Sequence, residues 1–92
     1  MNSSDVTDAY HLAQRGITDL KAAVYLILAI RGKTGLRNVD VGRALGIYGG
    51  HVGHEGHVSR TILAIMESEG VVHQQSEEKT WSLVDQPISP NG

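Results

Sequence analysis

The chain has 92 residues, no cysteine and no phenylalanine, and 8 Lys and Arg against 10 Asp and Glu, a formal charge of −2. That length holds one domain with a modest core, of a size often stabilised by self-association. The absence of cysteine excludes disulfides and thiolate-bound metal, and the overall charge by itself gives no avidity for nucleic acid.

The opening MNSSDVTDAY has neither a basic stretch nor an apolar one, so it does not read as a secretory signal. The apolar run Ala22–Ile30 is shorter than the roughly 20 residues a bilayer span requires. A soluble, cytoplasmic protein is expected.

Met1–Ser4 should fray, and Ser4 with Asp5 suits a helix start, a capping hydroxyl followed by an acid that complements the helix dipole. Val6, Ala9, Tyr10 and Ala13 recur at helical spacing and form one apolar stripe. Gly16 reads as a stop, which gives a first helix over 5–15. Thr18 then caps a second helix, with Asp19 in its first turn. Leu20–Ile30 is apolar almost all round, so burial on more than one side is expected, under the first helix or a second subunit. Gly32 and Gly35 mark the loop that follows.

Val39–Leu45 reads as a short helix capped by Asn38 or Asp40, with Val39, Val41, Ala44 and Leu45 inward and Gly46 as a left-handed terminator. Gly49, Gly50, Gly53 and Gly56 make Tyr48–His57 a long turn rather than a helix. Val58–Glu69 resumes helical spacing, with Val58, Ile62, Leu63, Ile65 and Met66 toward a core and Arg60, Thr61, Ala64, Glu67 and Ser68 outside, ended by Gly70. Val71–Gln75 and Thr80–Val84 are two β-like runs joined by a four-residue loop, Ser76–Lys79. Asp85–Gly92, with Pro87 and Pro90, reads as a disordered tail. There is no internal repeat.

The segments VDVGRALGI, VSRTILAIMESEGVV and TWSLV, taken in that order, resemble winged helix-turn-helix regulators of the MarR and ArsR kind. Ser59, Arg60, Thr61, Leu63, Met66, Gly70 and Val72 fall where that family places its recognition helix and the exit into its wing, and Trp81 and Leu83 fall where the second wing strand returns to the core. The resemblance implies a mainly α fold with a small β-hairpin: an extra N-terminal helix over 5–15, a trihelical core over 18–70 and a wing over 71–84. It implies a prokaryotic transcriptional regulator that binds double-stranded DNA as a homodimer through the helix over 58–69, with no cofactor and with the N-terminal helices as the dimer surface. Two features depart from the family pattern. The turn from Tyr48 to His57 exceeds the usual three or four residues. Gly42 stands where alanine is commoner, at a cost to the helix of roughly 1 kcal/mol.

The charge distribution agrees with that expectation. From Arg31 to Arg60 there are five basic residues against two acids, and elsewhere three against eight. Arg60 and Thr61 are candidates for base or phosphate contact, since an arginine can hold guanine O6 and N7 together, and Ser59 for a phosphate bond or a helix cap; the alternative is an ordinary solvated helix face. Arg37 and Arg43, with Arg31 and Lys33 nearby, are candidate backbone clamps. His57 and the glycines before it could approach a phosphate closely. In the wing, Gln74 and Lys79 are the candidates, although Glu77 and Glu78 oppose a phosphate grip. His51, His54 and His57 repeat at a spacing that could ligate Zn²⁺, but a glycine-rich turn makes gathering three imidazoles entropically costly. Trp81 reads as a core plug, and the scarcity of aromatics argues against a stacking platform for single strands. No nucleophile elbow or phosphate loop is present, so no enzyme is expected. A protein-docking module of the same fold and a metal-responsive regulator are the alternatives.

Overall fold

The computed structural model describes residues 3–50 and 55–84. It is mainly helical, with one two-stranded antiparallel hairpin. The expected disordered tail over 85–92 and the histidines at 51 and 54 lie outside the described residues.

Helix α1 spans Ser3–Arg31 without a break, 29 residues and so about 44 Å long. Two separate helices with a stop at Gly16 and a cap at Thr18 are therefore not what forms. Glycine costs a helix interior roughly 1 kcal/mol, whereas starting a new helix means repeating the unfavourable nucleation step. With no proline between Ser3 and Arg31, propagation wins. The two halves of α1 have different surroundings. Every residue from Ser4 to Gly16 is exposed. From Ile17 onward one face turns inward, with Val24 and Leu28 fully buried and Ile17, Leu20 and Ile27 packed around them. The second half is not buried on several sides as its composition suggests: Tyr25, Leu26 and Ile30 stay exposed, Ile30 to 82%.

Gly32–Thr34 form a single 3₁₀ turn, and Gly35 follows at φ +71. A Cβ there would lie 2.6 Å from the Trp81 carbonyl oxygen, so only glycine lets the chain pass. The next residue, Leu36, forms an isolated antiparallel bridge with Trp81.

Helix α2, Asn38–Ala44, carries Arg37 rather than Asn38 or Asp40 at its cap position, and Arg37 makes no capping bond. The Asn38 amide is used elsewhere, by the next helix. Val41 is fully buried, Val39 and Leu45 are half-buried, and Ala44 is exposed against expectation. Gly46 adopts the left-handed turn expected of it, at φ +72.

Helix α3, His57–Ser68, buries Ser59, Ile62, Leu63 and Met66. Val58, expected inside, is exposed, because the buried strip runs through Ser59 instead. Gly70 at φ +77 turns the chain into β1, Val72–Gln74, which pairs with β2, Trp81–Leu83, in the register Val72↔Leu83, His73↔Ser82 and Gln74↔Trp81. The core comprises Val24, Leu28, Leu36, Val41, Ile62, Leu63, Met66, Val72 and Trp81, so α1, α2, α3 and the hairpin all contribute to it. Among the described residues no helix is long and apolar enough to cross a membrane.

Candidate nucleic-acid interface

The amphipathic spacing of α3 dictates two opposite faces. Ile62, Leu63 and Met66 seat it on the core, which leaves His57, Arg60, Thr61, Ala64, Glu67 and Ser68 exposed along one outward strip. The strip is polarised. His57, Arg60 and Thr61 occupy the first turns, where the helix dipole also favours an anion, and Glu67 occupies the last. Small Ala64 at mid-strip lets a flat or grooved surface approach the backbone.

Ser59 does not belong to that strip. It is fully buried, and its Oγ donates to Asn38 Oδ1 at 2.8 Å, with the Gly56 carbonyl 3.2 Å away. The Asn38 Nδ2 in turn donates to the Gly56 carbonyl at 3.3 Å. A direct phosphate contact by Ser59 is thereby ruled out. One residue before an exposed arginine, the hydroxyl points inward and joins the start of α3 to the start of α2.

Tyr48 completes this junction. A Cβ on Gly42 would stand 2.9 Å from Tyr48 Cβ and Cδ1 and 3.0 Å from Ser59 Oγ, and one on Gly56 would stand 2.7 Å from Asn38 Nδ2 and 2.9 Å from Tyr48 Cε1. Gly42, which the sequence presents as a weak point of α2, is thus the residue that lets Tyr48 and Ser59 reach the helix. Gly56 also closes the intervening loop, its N–H donating to the Gly49 carbonyl at 3.1 Å. Over the Tyr48 ring lies the Arg43 guanidinium, 5.2 Å from the ring centroid, a cation–π arrangement that steadies an exposed arginine at the end of α2. Nothing in the sequence marks Tyr48 as the residue that holds Arg43. A tyrosine beside glycines carries no sequence signal for such a role.

The remaining candidates are less well placed. Arg37 is exposed, but its Nε contacts Asp40 Oδ2 at 3.2 Å, so part of its charge is spent locally. In the hairpin, the Gln74 amide donates to the Lys79 carbonyl at 3.2 Å and thus serves the turn itself. Lys79 is exposed and sits at φ +60, a left-handed conformation costly for a residue with a Cβ. His57, the first residue of α3, is exposed, whereas His51 and His54, which share its spacing, lie outside the described residues. Among those described, no three His, Asp or Glu side chains gather where a metal would need them.

No protein-family model matches the chain, and neither a curated protein nor a solved structure matches it.

Proposed function

We propose that the chain is a winged helix-turn-helix domain that binds duplex DNA, a transcription regulator of the prokaryotic kind acting as a homodimer, with α3 as its recognition helix. The order of elements supports this: a helix, a bridging residue at Leu36, two further helices in contact, then a hairpin whose second strand returns to that residue. The observation that carries it is the outward strip of α3. Arg60 and Thr61 stand exposed at its front, on a helix braced from behind by α2 through Ser59 and Asn38. Such a helix can enter a major groove while the arginine reads a base edge or a phosphate. Arg43, held over Tyr48 at the end of α2, would grip the backbone. The apolar residues left open on α1, Leu26 and Ile30, support self-association.

Titration of a labelled random-sequence duplex, followed by anisotropy at low and raised salt, tests the reading. Binding that weakens as salt rises is expected. No binding at low salt, or binding unchanged when Arg60→Ala and Arg43→Ala are combined, would overturn it.

One observation favours a second reading. The exposed hairpin turn presents Glu77 and Glu78 beside Lys79, a face suited to a basic protein partner rather than to phosphate. Retention of a protein partner by a chain with no duplex affinity would favour a docking module.

A further inference from the structure

Between the last turns of α1, the 3₁₀ turn and the hairpin lies a cavity of about 430 Å³, within the roughly 300–1,000 Å³ of small-molecule sites. Much of its wall is aliphatic: Leu28, Ala29, Val71, Leu83 and Val84. Ser82 interrupts that wall. It is 5% exposed, a place where apolar side chains are the rule and an unpaired hydroxyl is costly. His73, directly opposite in the strand pair, supplies its partner, with Nε2 3.1 Å from Ser82 Oγ. The pair keeps one donor in reserve. If Nε2 carries the proton it donates to Oγ, and the serine hydroxyl is left to donate elsewhere. If Nδ1 carries it, Oγ donates to Nε2 and the Nδ1–H is left. Lys33, exposed on the 3₁₀ turn, brings a fixed positive charge to the same cavity, and Tyr25 and Gln75 add neutral polar groups. No Asp or Glu lines it, and among the described residues no carboxylate pairs with this lysine.

We propose that this cavity binds a medium-chain aliphatic monocarboxylate. The proposal goes beyond the DNA reading and does not rest on it, since no residue of α3 lines the cavity. Three features select the ligand. First, its charge: Lys33 attracts an anion, the reserve donor of the Ser82–His73 pair gives a carboxylate oxygen a hydrogen bond, and no acid in the lining opposes it. A cationic ligand would meet Lys33 with no compensating carboxylate. Second, the single charge: one fixed cation balances one carboxylate, and a second would be set against the aliphatic wall without a partner. Third, the body of the ligand: Leu28, Ala29, Val71, Leu83 and Val84 offer a surface for methylene groups, whereas Tyr25 is the one phenol of the lining and has no facing ring with which to sandwich an aromatic ligand.

Calorimetric titration of the full chain with octanoate, hexanoate and octylammonium tests it, with amide chemical shifts to locate the site. Saturable binding of octanoate is expected, with shifts centred on Lys33, His73 and Ser82. Hexanoate should bind more weakly, by up to about fifteenfold, since each buried methylene contributes roughly fourfold. Octylammonium should give no heat above dilution. Lys33 and Ala29 are both exposed, so the fold should tolerate change there, and a thermal melt checks it. Lys33→Met should weaken octanoate by about three- to fivefold, and Lys33→Arg should retain most of the affinity. Ala29→Trp should fill the cavity and abolish binding. No saturable heat, equal affinity for octylammonium, octanoate binding unmoved by Ala29→Trp or by Lys33→Met, or shifts centred instead on exposed Leu26 and Ile30 would each overturn the proposal. These titrations contain no DNA, so the two readings fail separately: a chain that takes octanoate but no duplex overturns only the DNA reading, and one that binds duplex but no octanoate overturns only the cavity.

Discussion

Ser59 Oγ and Asn38 Oδ1 meet at 2.8 Å across 21 residues of sequence, and the bond joins the first turn of α3 to the first turn of α2. Ser59 is fully buried and Asn38 half-buried, so water replaces this bond poorly at the serine. Ser59→Ala leaves the asparagine acceptor short of a partner, and a loss of about 1–3 kcal/mol is expected in urea unfolding. Duplex affinity per folded molecule should hold nearly steady, since the hydroxyl never reaches the surface. A large affinity loss in a variant of unchanged stability would return Ser59 to the contact surface.

Gly42→Ala should destabilise the domain although alanine is the better helix former. The roughly 1 kcal/mol gained in propensity is set against a Cβ 2.9 Å from Tyr48 and 3.0 Å from Ser59 Oγ. A net loss of about 1–3 kcal/mol is expected, as for overpacking elsewhere. Tyr48→Ala in the same background should recover part of it, and a thermal melt of the three variants measures both effects.

Arg60→Ala should weaken duplex binding by about 1–3 kcal/mol and relax preference at one base position if it reads a base edge. Arg43→Ala should instead weaken all sequences alike and flatten the dependence on salt by about one phosphate. Arg37→Ala should cost less than either, because Asp40 already holds its guanidinium at 3.2 Å. An affinity series at three salt concentrations separates the three cases, and an Arg37 effect larger than that of Arg60 would contradict the assignment.

Lys79→Gly should stabilise the hairpin by about 0.5–1 kcal/mol, since glycine adopts φ +60 without the clash that a Cβ meets. A lower midpoint in urea than the parent would show that the lysine side chain contributes more than its backbone strain costs.

The amphipathic elements were legible because their spacing is strong. The outward strip of α3, the turns at Gly46 and Gly70 and the burial of Trp81 all follow from residue type and period. Where the sequence misled, a residue had two uses. Gly16 is a common helix stop, but a glycine without a proline after it can be absorbed by a helix already growing. Ser59 and Asn38 are both good cap residues and both good buried partners, and only the approach of α3 to α2 decides between these uses. Leu36 could not be read at all: a single bridging residue has no period, and its partner Trp81 lies 45 positions on. Of the candidate site, the exposure of Arg60 and Thr61 was foreseeable, whereas the holding of Arg43 by Tyr48 depends on a close approach that Gly42 and Gly56 together make possible.

Helix α1 is anchored to the far end of α3 by Lys21 and Glu69, whose Nζ and Oε2 lie 2.9 Å apart, as well as by the buried Val24 and Leu28. It has no kink-forming proline between its exposed first half and this anchor. The exposed half of α1, residues 4–16, therefore moves with the core as one stiff rod, its direction set at Lys21 and Val24 rather than by a hinge. Inserting or deleting three or four residues before Gly16 would shift its first turn by about one helical turn along the same line and leave the core untouched.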